Sequence, residues 1–88
     1  MTWTSDKVRD ELITLFRAHA QGGVDISAAS HLVADLGIDS LGMMEVIADI
    51  EDLFKLGVPD DALPGLETIG DVVTSIQTKL RAEGRLEG

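Results

Sequence analysis

The stretch GIDSLGMMEVI, residues 37–47, places a single serine, Ser40, between an aspartate and a leucine. A serine becomes a nucleophile when a base lies within hydrogen-bond reach and donors stabilise the developing oxyanion. No histidine lies within eight residues of Ser40, and the chain contains no cysteine. The Gly-x-Ser-x-Gly elbow is also absent, because Ile38 occupies the position two residues before the serine. The sequence therefore predicts that the chain does not activate Ser40 itself, and we expect no catalytic residue.

The remaining candidates for a base or a metal ligand do not form a recognisable site. His19 falls on the apolar face of the first predicted helix, which is typical of a packing residue, and His31 falls in a predicted loop. An EF-hand loop starting at Asp35 would require glycine at its sixth position and glutamate at its twelfth, where this chain has Ser40 and Val46. Two histidines without a cysteine also count against zinc. We therefore predict no metal site.

Two interpretations of Ser40 remain from the residues alone. Asp39 or Ser40 could cap the start of a helix, because short polar side chains accept hydrogen bonds from first-turn N–H groups. Alternatively, another enzyme modifies the Ser40 hydroxyl, and an attached phosphate would then meet the positive end of the helix. In that case the chain would not need a base of its own, because the modifying enzyme would activate the serine.

Apolar periodicity predicts a first helix followed by a long connection. The helix is expected to start at Ser5 or Asp6, either of which could cap it, and to end at residues 21–23, Gln-Gly-Gly. Its predicted apolar face consists of Val8, Leu12, Leu15, Phe16 and His19. Residues 22–39 exceed the usual length of an unstructured loop, so we expect this connection to be packed against the domain. Its predicted apolar anchors are Ile26, Leu32, Val33 and Leu36.

Two further long helices and one short helix are predicted after this connection. The second helix runs from Ser40 to Leu53 or Phe54, and a short helical or irregular turn follows at residues 60–63, ended by a Pro-Gly pair. Thr68 is expected to cap the last helix. The predicted apolar face of that helix consists of Ile69, Val72, Val73, Ile76 and Leu80. The predicted fold class is therefore all-α, a four-helix antiparallel bundle with three long helices and one short helix.

The second helix divides into two faces when its residues are placed at 100° intervals around the axis. The predicted core face consists of Met43, Val46, Ile47, Ile50, Leu53 and Phe54. The predicted outward face consists of Leu41, Met44, Glu45, Ala48, Asp49, Glu51 and Asp52. An outward leucine and methionine one turn apart, surrounded by carboxylates, indicate a docking surface. The alternative is that Met44 packs into the core between this helix and the preceding loop.

Composition and charge narrow the classes of partner. The chain has 88 residues and a net charge of −9, and between residues 18 and 78 it contains eleven acidic residues and one basic residue. Nucleic acid is therefore not expected as a partner, because phosphate binding requires lysine and arginine. Proteins with basic surfaces are expected as partners instead. The N-terminus does not resemble a signal peptide, and no apolar run has the length of a membrane span. We expect a cytoplasmic, soluble monomer that does not bind membranes.

The segment DLGIDSLGMMEVIADIEDLF, residues 35–54, resembles the signature of the acyl carrier proteins. The similarity extends over roughly residues 5–80, since the Leu32 anchor, Val58-Pro59-Asp60 and the Thr68-Ile69 helix start fall where that family places them. The resemblance implies a carrier domain at residues 1–81, and the polar residues 82–88 are expected to form a flexible C-terminal tail. It also implies a four-helix carrier fold rather than an enzyme.

The resemblance further implies a covalent cofactor and its partners. A phosphopantetheinyl transferase would attach 4′-phosphopantetheine from coenzyme A to Ser40, and the terminal thiol of that arm would carry acyl groups as thioesters. Asp39 and Leu41 would contact the transferase. Acyl-loading, condensing or tailoring enzymes with basic patches would dock on Leu41, Met44, Glu45, Ala48, Glu51 and Asp52. The acyl chain would shelter among Val46, Ile47, Ile50, Leu66 and Val72.

Several residues depart from the pattern of the fatty-acid carriers. Gly42 and Leu53 stand where an acid is common, Pro64-Gly65 interrupts the third helix, and Ile38 could narrow the mouth of the chain pocket. A fatty-acyl and a polyketide carrier therefore both remain open. The alternatives are an aminoacyl or peptidyl carrier of a nonribosomal-peptide pathway, and a non-covalent acidic helical adaptor that never receives the arm.

Overall fold

The fold is mainly helical, as the sequence predicts. The computed structural model describes residues 2–20, 26–59 and 65–87. In chain order these ranges contain β1 (Trp3–Thr4), α1 (Ser5–His19), α2 (Ser40–Phe54), α3 (Ile69–Ala82) and β2 (Leu86–Glu87). The predicted short helix at residues 60–63 lies outside the described residues, so the described ranges hold three helices rather than the predicted four. The two-residue strands were not predicted.

Helix α1 starts at Ser5, one of the two predicted starts, but neither of the two predicted residues is its cap. Thr4 is the N-cap, because its backbone is extended and its hydroxyl accepts a hydrogen bond from the Lys7 N–H. Ser5 is already helical and so does not occupy the cap position. The helix ends at His19, where Ala20 returns to extended backbone. The predicted termination at residues 21–23 lies outside the described residues.

Residues 26–39 are packed against the domain, as their length predicts. Leu32 and Leu36 are buried, and Ile26 is half-buried against the core. The predicted anchor Val33 is wrong, because its side chain is 61% exposed. The turn around Val33 directs Leu32 and Leu36 inwards, and consecutive turn residues cannot all face the same side.

Three backbone hydrogen bonds join this loop to the start of α3. The Leu32 N–H donates to the Glu67 carbonyl at 2.9 Å, and the N–H groups of Ile69 and Gly70 donate to loop carbonyls at 3.1 Å and 2.8 Å. The start of α3 is itself fixed by a capping box, in which Thr68 and Asp71 each bond the other's backbone N–H. The N–H groups of Thr68 and Glu67 both donate to the Asp71 carboxylate and hold the pKa of that carboxyl below its ordinary value.

The three helices enclose one hydrophobic core. All five apolar residues predicted for the inner face of α3 are buried, as are Val8, Leu12 and Phe16 of α1. The predicted face residues Leu15 and His19 are half-buried at the edge. Helix α1 packs against both α2 and α3. None of the described helices combines the length and apolar character that crossing a bilayer would require.

The two ends of the chain meet at the C-terminal end of α2. Strands β1 and β2 pair in parallel, and the Trp3 N–H donates to the Arg85 carbonyl at 2.7 Å. The Trp3 ring packs on the Phe54 ring with centroids 4.5 Å apart. The Arg85 guanidinium donates to the carbonyls of Phe54 and Lys55, which the end of α2 leaves without helical partners. Residues 82–87 thus contact the rest of the domain, while the predicted flexibility of segment 82–88 stays a prediction.

Replacement of Arg85 by lysine should lower the free energy of unfolding by about 1–2 kcal/mol, because a lysine cannot donate to both carbonyls in the fork geometry. Urea unfolding at neutral pH measures the change. Arg81→Lys is the matched control, since Arg81 is exposed on the last turn of α3 and its replacement by lysine keeps the positive charge. Equal midpoints for the two variants would show that the Arg85 contacts contribute no stability.

Candidate functional site

The site begins at the N-terminus of α2, which Asp39 caps. The Asp39 backbone is extended, and its carboxylate Oδ1 accepts a hydrogen bond from the Gly42 N–H at 2.7 Å. Of the two predicted caps, Asp39 is therefore the one that acts, and Ser40 is the first helical residue. The Ser40 side chain is exposed, which is what modification by another enzyme requires.

The turn before Asp39 holds this start in place. Gly37 has a φ of 72°, a left-handed conformation that glycine adopts without the cost of a Cβ clash. Ile38 follows with only 3% of its surface exposed, so it anchors the chain under the first turn of α2. His31 belongs to the same turn, because its Nδ1 accepts the Ala34 N–H at 3.2 Å and its own N–H donates to Asp35 at 2.6 Å. His31 thus has a structural role in this loop.

The outward face of α2 presents an apolar centre with acidic surroundings. Leu41 is 65% exposed and Met44 is 66% exposed, so the alternative in which Met44 packs into the core is wrong. Glu45, Ala48 and Asp52 are exposed beside them. We call these five residues the recognition face. The opposite face is buried through Val46, Ile50 and Phe54, which fixes the rotation of the helix about its axis.

Two other acids of α2 are engaged with the chain itself. Glu51 is half-buried, and its Oε2 accepts the Val58 N–H at 2.8 Å, so it fixes the turn that follows the helix. Asp49 contacts α1, because its Oδ2 lies 2.9 Å from Nε2 of His19. The sequence placed both acids on the outward face and did not predict either contact. The position of His19 at the end of the apolar face of α1 was the one indication that it could reach α2.

The residues predicted to shelter an acyl chain belong to the core or pack against it. Val46, Ile50 and Val72 are fully or almost fully buried, and Ile47 is buried at the margin. Leu66 is half-buried against the same cluster. The structure therefore brings the predicted pocket residues together in one continuous apolar region. Their role in holding a chain stays a prediction.

A groove of about 200 Å³ is lined by both residues that flank Ser40, although Ser40 itself does not line it. It lies between the end of α1, the turn before α2 and the first two turns of α2. Its lining residues are His19, Gly37, Ile38, Asp39, Leu41, Gly42 and Glu45. The sequence did not predict this groove, because it depends on how closely α1 approaches α2. In the described part of the chain, no three histidine or carboxylate side chains are grouped to hold a metal ion.

Asp39→Ala should destabilise the domain by about 1 kcal/mol, since the Gly42 N–H loses its partner, whereas Asp39→Asn should retain most of the stability because asparagine also caps helices. Thermal and urea unfolding measure both changes. The comparison separates the cap from the charge at this position. Equal destabilisation by alanine and asparagine would assign the stabilising effect of Asp39 to its charge instead.

Comparison with known proteins gives consistent matches. The family described as "Phosphopantetheine attachment site" matches residues 7–76. An acyl carrier protein of Rhodococcus erythropolis is 47% identical over 60 residues, which cover 68% of this chain and 65% of that protein. A meromycolate extension acyl carrier protein of Mycobacterium leprae is 48% identical over 59 residues, which cover 67% of this chain and 50% of that protein. The matched region thus spans between half and two thirds of these relatives.

A further relative and a solved structure extend the comparison. An acyl carrier protein of an Exiguobacterium species is 45% identical over 56 residues, which cover 64% of this chain and 71% of that protein. A solved structure described as an acyl carrier protein of Mycobacterium tuberculosis superposes with a TM-score of 0.75 at 28% identity. The superposition covers 82% of this chain and 97% of that one, so the similarity includes most of the fold.

Proposed function

The chain belongs to the phosphopantetheine attachment family of acyl carrier proteins, and from this membership we propose that Ser40 is the residue that carries the 4′-phosphopantetheine cofactor. The observation that carries the proposal is the exposure of Ser40 on the first turn of α2, directly after the capping Asp39. A phosphopantetheinyl transferase would form a phosphodiester between the Ser40 oxygen and the pantetheine phosphorus of coenzyme A. The pyrophosphate bond of coenzyme A breaks, and adenosine 3′,5′-bisphosphate leaves.

The arm would supply a chemical group that the chain lacks. A chain without cysteine has no thiol, and the terminal thiol of the arm carries an acyl group as a thioester. The chain is then a carrier and a substrate of its transferase rather than a catalyst. The cargo we propose is a fatty-acyl or polyketide-type intermediate in the cytoplasm, and an aminoacyl or peptidyl cargo is the alternative within the same mechanism.

The recognition face would present the loaded arm to partner enzymes. Its exposed leucine and methionine offer an apolar contact, and its carboxylates favour partners with basic patches. Leu41 adjoins Ser40, so docking at this face would bring the arm close to the partner's active site. The transferase would contact Asp39 and Leu41, because these two residues flank the serine that it modifies. Glu51 contributes by fixing the turn after α2 rather than by offering a carboxylate to the partner.

The apolar interior would shelter the acyl chain between reactions. The predicted pocket residues line one continuous apolar region, and burial of each CH₂ group is worth about 0.8 kcal/mol. This gain offsets part of the cost of moving Val46, Ile50 and Val72 apart. These side chains are buried in the core when no acyl group is bound.

Intact-protein mass spectrometry tests the attachment. The parent should gain the mass of one phosphopantetheine on incubation with coenzyme A, magnesium and a promiscuous phosphopantetheinyl transferase, and Ser40→Ala should gain none because it lacks the accepting oxygen. Ser27→Ala is the matched control, since Ser27 is also exposed but lies in the loop, and it should load as the parent does. An unmodified parent beside a carrier that the same enzyme loads would overturn the proposal.

A non-covalent acidic adaptor is the second candidate, and the recognition face favours it because that face exists without any arm. The two functions differ in their dependence on the serine hydroxyl. An adaptor would retain partner binding and biological function in Ser40→Ala, whereas a carrier would lose function while keeping its fold. Complementation by Ser40→Ala in the source organism distinguishes them.

Charge reversal on the recognition face should slow loading by the transferase more at low salt than at high salt. Glu45→Lys and Asp52→Lys are expected to lower kcat/KM by about three- to tenfold at low ionic strength, and by less near 1 M, where the Debye length is about 3 Å. Asp10→Lys makes the same charge change on α1 and is the control. A decrease in kcat/KM that is equal at both salt concentrations, or equal in the Asp10→Lys control, would count against electrostatic docking at this face.

A further inference from the structure

We propose that the groove beside Ser40 is a resting site for the amide-bearing part of the phosphopantetheine arm. This inference rests on the proposed attachment at Ser40 and adds a ligand class, an uncharged chain of amides and methyl groups, at a place outside the predicted acyl pocket. The groove lies against the end of α1, through His19, whereas the predicted acyl pocket includes Leu66 and Val72 of α3.

The position of the groove favours an attached ligand. Asp39 and Leu41, the residues on either side of Ser40, both line it, so an arm attached to Ser40 starts one residue away from the groove lining. A tether of this kind gives a local concentration in the millimolar range or above. A weak intrinsic affinity is therefore sufficient for substantial occupancy.

The size of the groove selects a part of the arm. Its volume of about 200 Å³ is below the ~300–1,000 Å³ of sites that enclose drug-sized ligands. The groove could thus accept the portion of the arm nearest to Ser40, with its geminal methyl groups and first amide. The distal thiol and its cargo would remain outside, available to a partner or to the apolar interior.

The charges of the groove select an uncharged segment. Asp39 and Glu45 line it, and among the described residues no lysine or arginine does so. An anionic phosphate would therefore be repelled from its interior. The phosphate would remain at the rim beside Ser40. Amide N–H groups of the arm could donate to the carboxylates, since a carboxylate accepts several hydrogen bonds. The geminal methyl groups could contact Ile38 and Leu41.

Gly42 lines the groove and leaves no room for a Cβ atom between α2 and Ile38. A Cβ atom at this position would lie 3.0 Å from Cγ2 of Ile38 and 3.2 Å from Oδ1 of Asp39. Both distances are shorter than an ordinary van der Waals contact, and Ile38 is buried, so the isoleucine would have to shift. Many fatty-acid carriers have an acid at the position of Gly42, and the glycine of this chain thus has a structural consequence. A glycine here allows Ile38, which also lines the groove, to pack under α2.

Nuclear magnetic resonance of the apo and loaded forms tests the proposal, with mass spectrometry confirming that the arm is attached. His19 is the reporter, because it lies on another helix and so does not respond to the covalent change at Ser40 through the backbone. Loading should shift the His19 amide and ring resonances. It should also produce nuclear Overhauser effects (NOEs) between the geminal methyl groups of the arm and the methyl groups of Ile38 and Leu41.

Gly42→Ala is the variant that addresses the groove. It should load at Ser40 but lose the NOEs between the arm and Ile38, because the added methyl group displaces the isoleucine. Gly57→Ala is the matched control, since a Cβ there meets the Glu51 carboxylate at 4.0 Å, an ordinary contact, and it should retain the NOEs. The parent measurements decide the proposal if the Gly42 variant does not fold.

The outcomes separate this inference from the function on which it rests. A parent that gains no mass overturns both the attachment at Ser40 and the resting site. A loaded parent whose arm contacts Leu66 or Val72 instead, or contacts no residue, overturns the resting site and leaves the carrier function standing. Unchanged NOEs in loaded Gly42→Ala would also contradict the role assigned to that glycine.

Discussion

The hydrogen bond from the Gly42 N–H to the Asp39 carboxylate fixes where α2 begins, and the placement of the candidate site residues on α2 depends on that start. Each helical residue is rotated by about 100° from the one before it, so the residue at which the helix starts determines that Ser40 occupies an exposed first turn. The buried residues Val46 and Ile50 set the rotation of the helix from below. Together, the cap and the buried face leave Leu41 and Met44 no inward position.

This start is supported by a loop that is itself held from two sides. Leu32, Leu36 and Ile38 anchor the loop in the core, while backbone hydrogen bonds join residues 28–32 to residues 67–70, which include the first turn of α3. The carboxylate of Asp71, with its pKa held low by two backbone N–H groups, completes the cap of α3. The beginnings of α2 and α3 are therefore positioned through one segment, and a change that loosens the loop is expected to affect both helices.

The sequence was sufficient for the features that repeat locally. The bounds of α2, its buried and exposed faces and the inner face of α3 follow from a 3.6-residue period of apolar side chains. The features that the sequence did not predict are contacts between residues that are distant in the chain. Examples are the Asp49–His19 contact and the hydrogen bonds from the Arg85 guanidinium to the end of α2. These contacts depend on how the elements are placed relative to one another, as does the groove beside Ser40, and no local pattern carries that information.

The hydrogen bonds of α2 also show why charge and exposure are not enough to identify a docking residue. Glu51 and Asp49 are acids of the same helix as Glu45, yet Glu51 accepts the Val58 N–H and Asp49 contacts His19. Asp52 is 3.9 Å from the exposed Lys55 ammonium, a surface pair of little energetic weight that a basic partner could replace. If Glu51 turned to a partner instead, the Val58 N–H would lose its acceptor. The attraction between Glu51 and the partner's charge would have to exceed that cost. Glu51 and Asp49 thus make contacts within the domain, whereas the pair of Asp52 with Lys55 lies on the surface, where we expect it to be available to a partner.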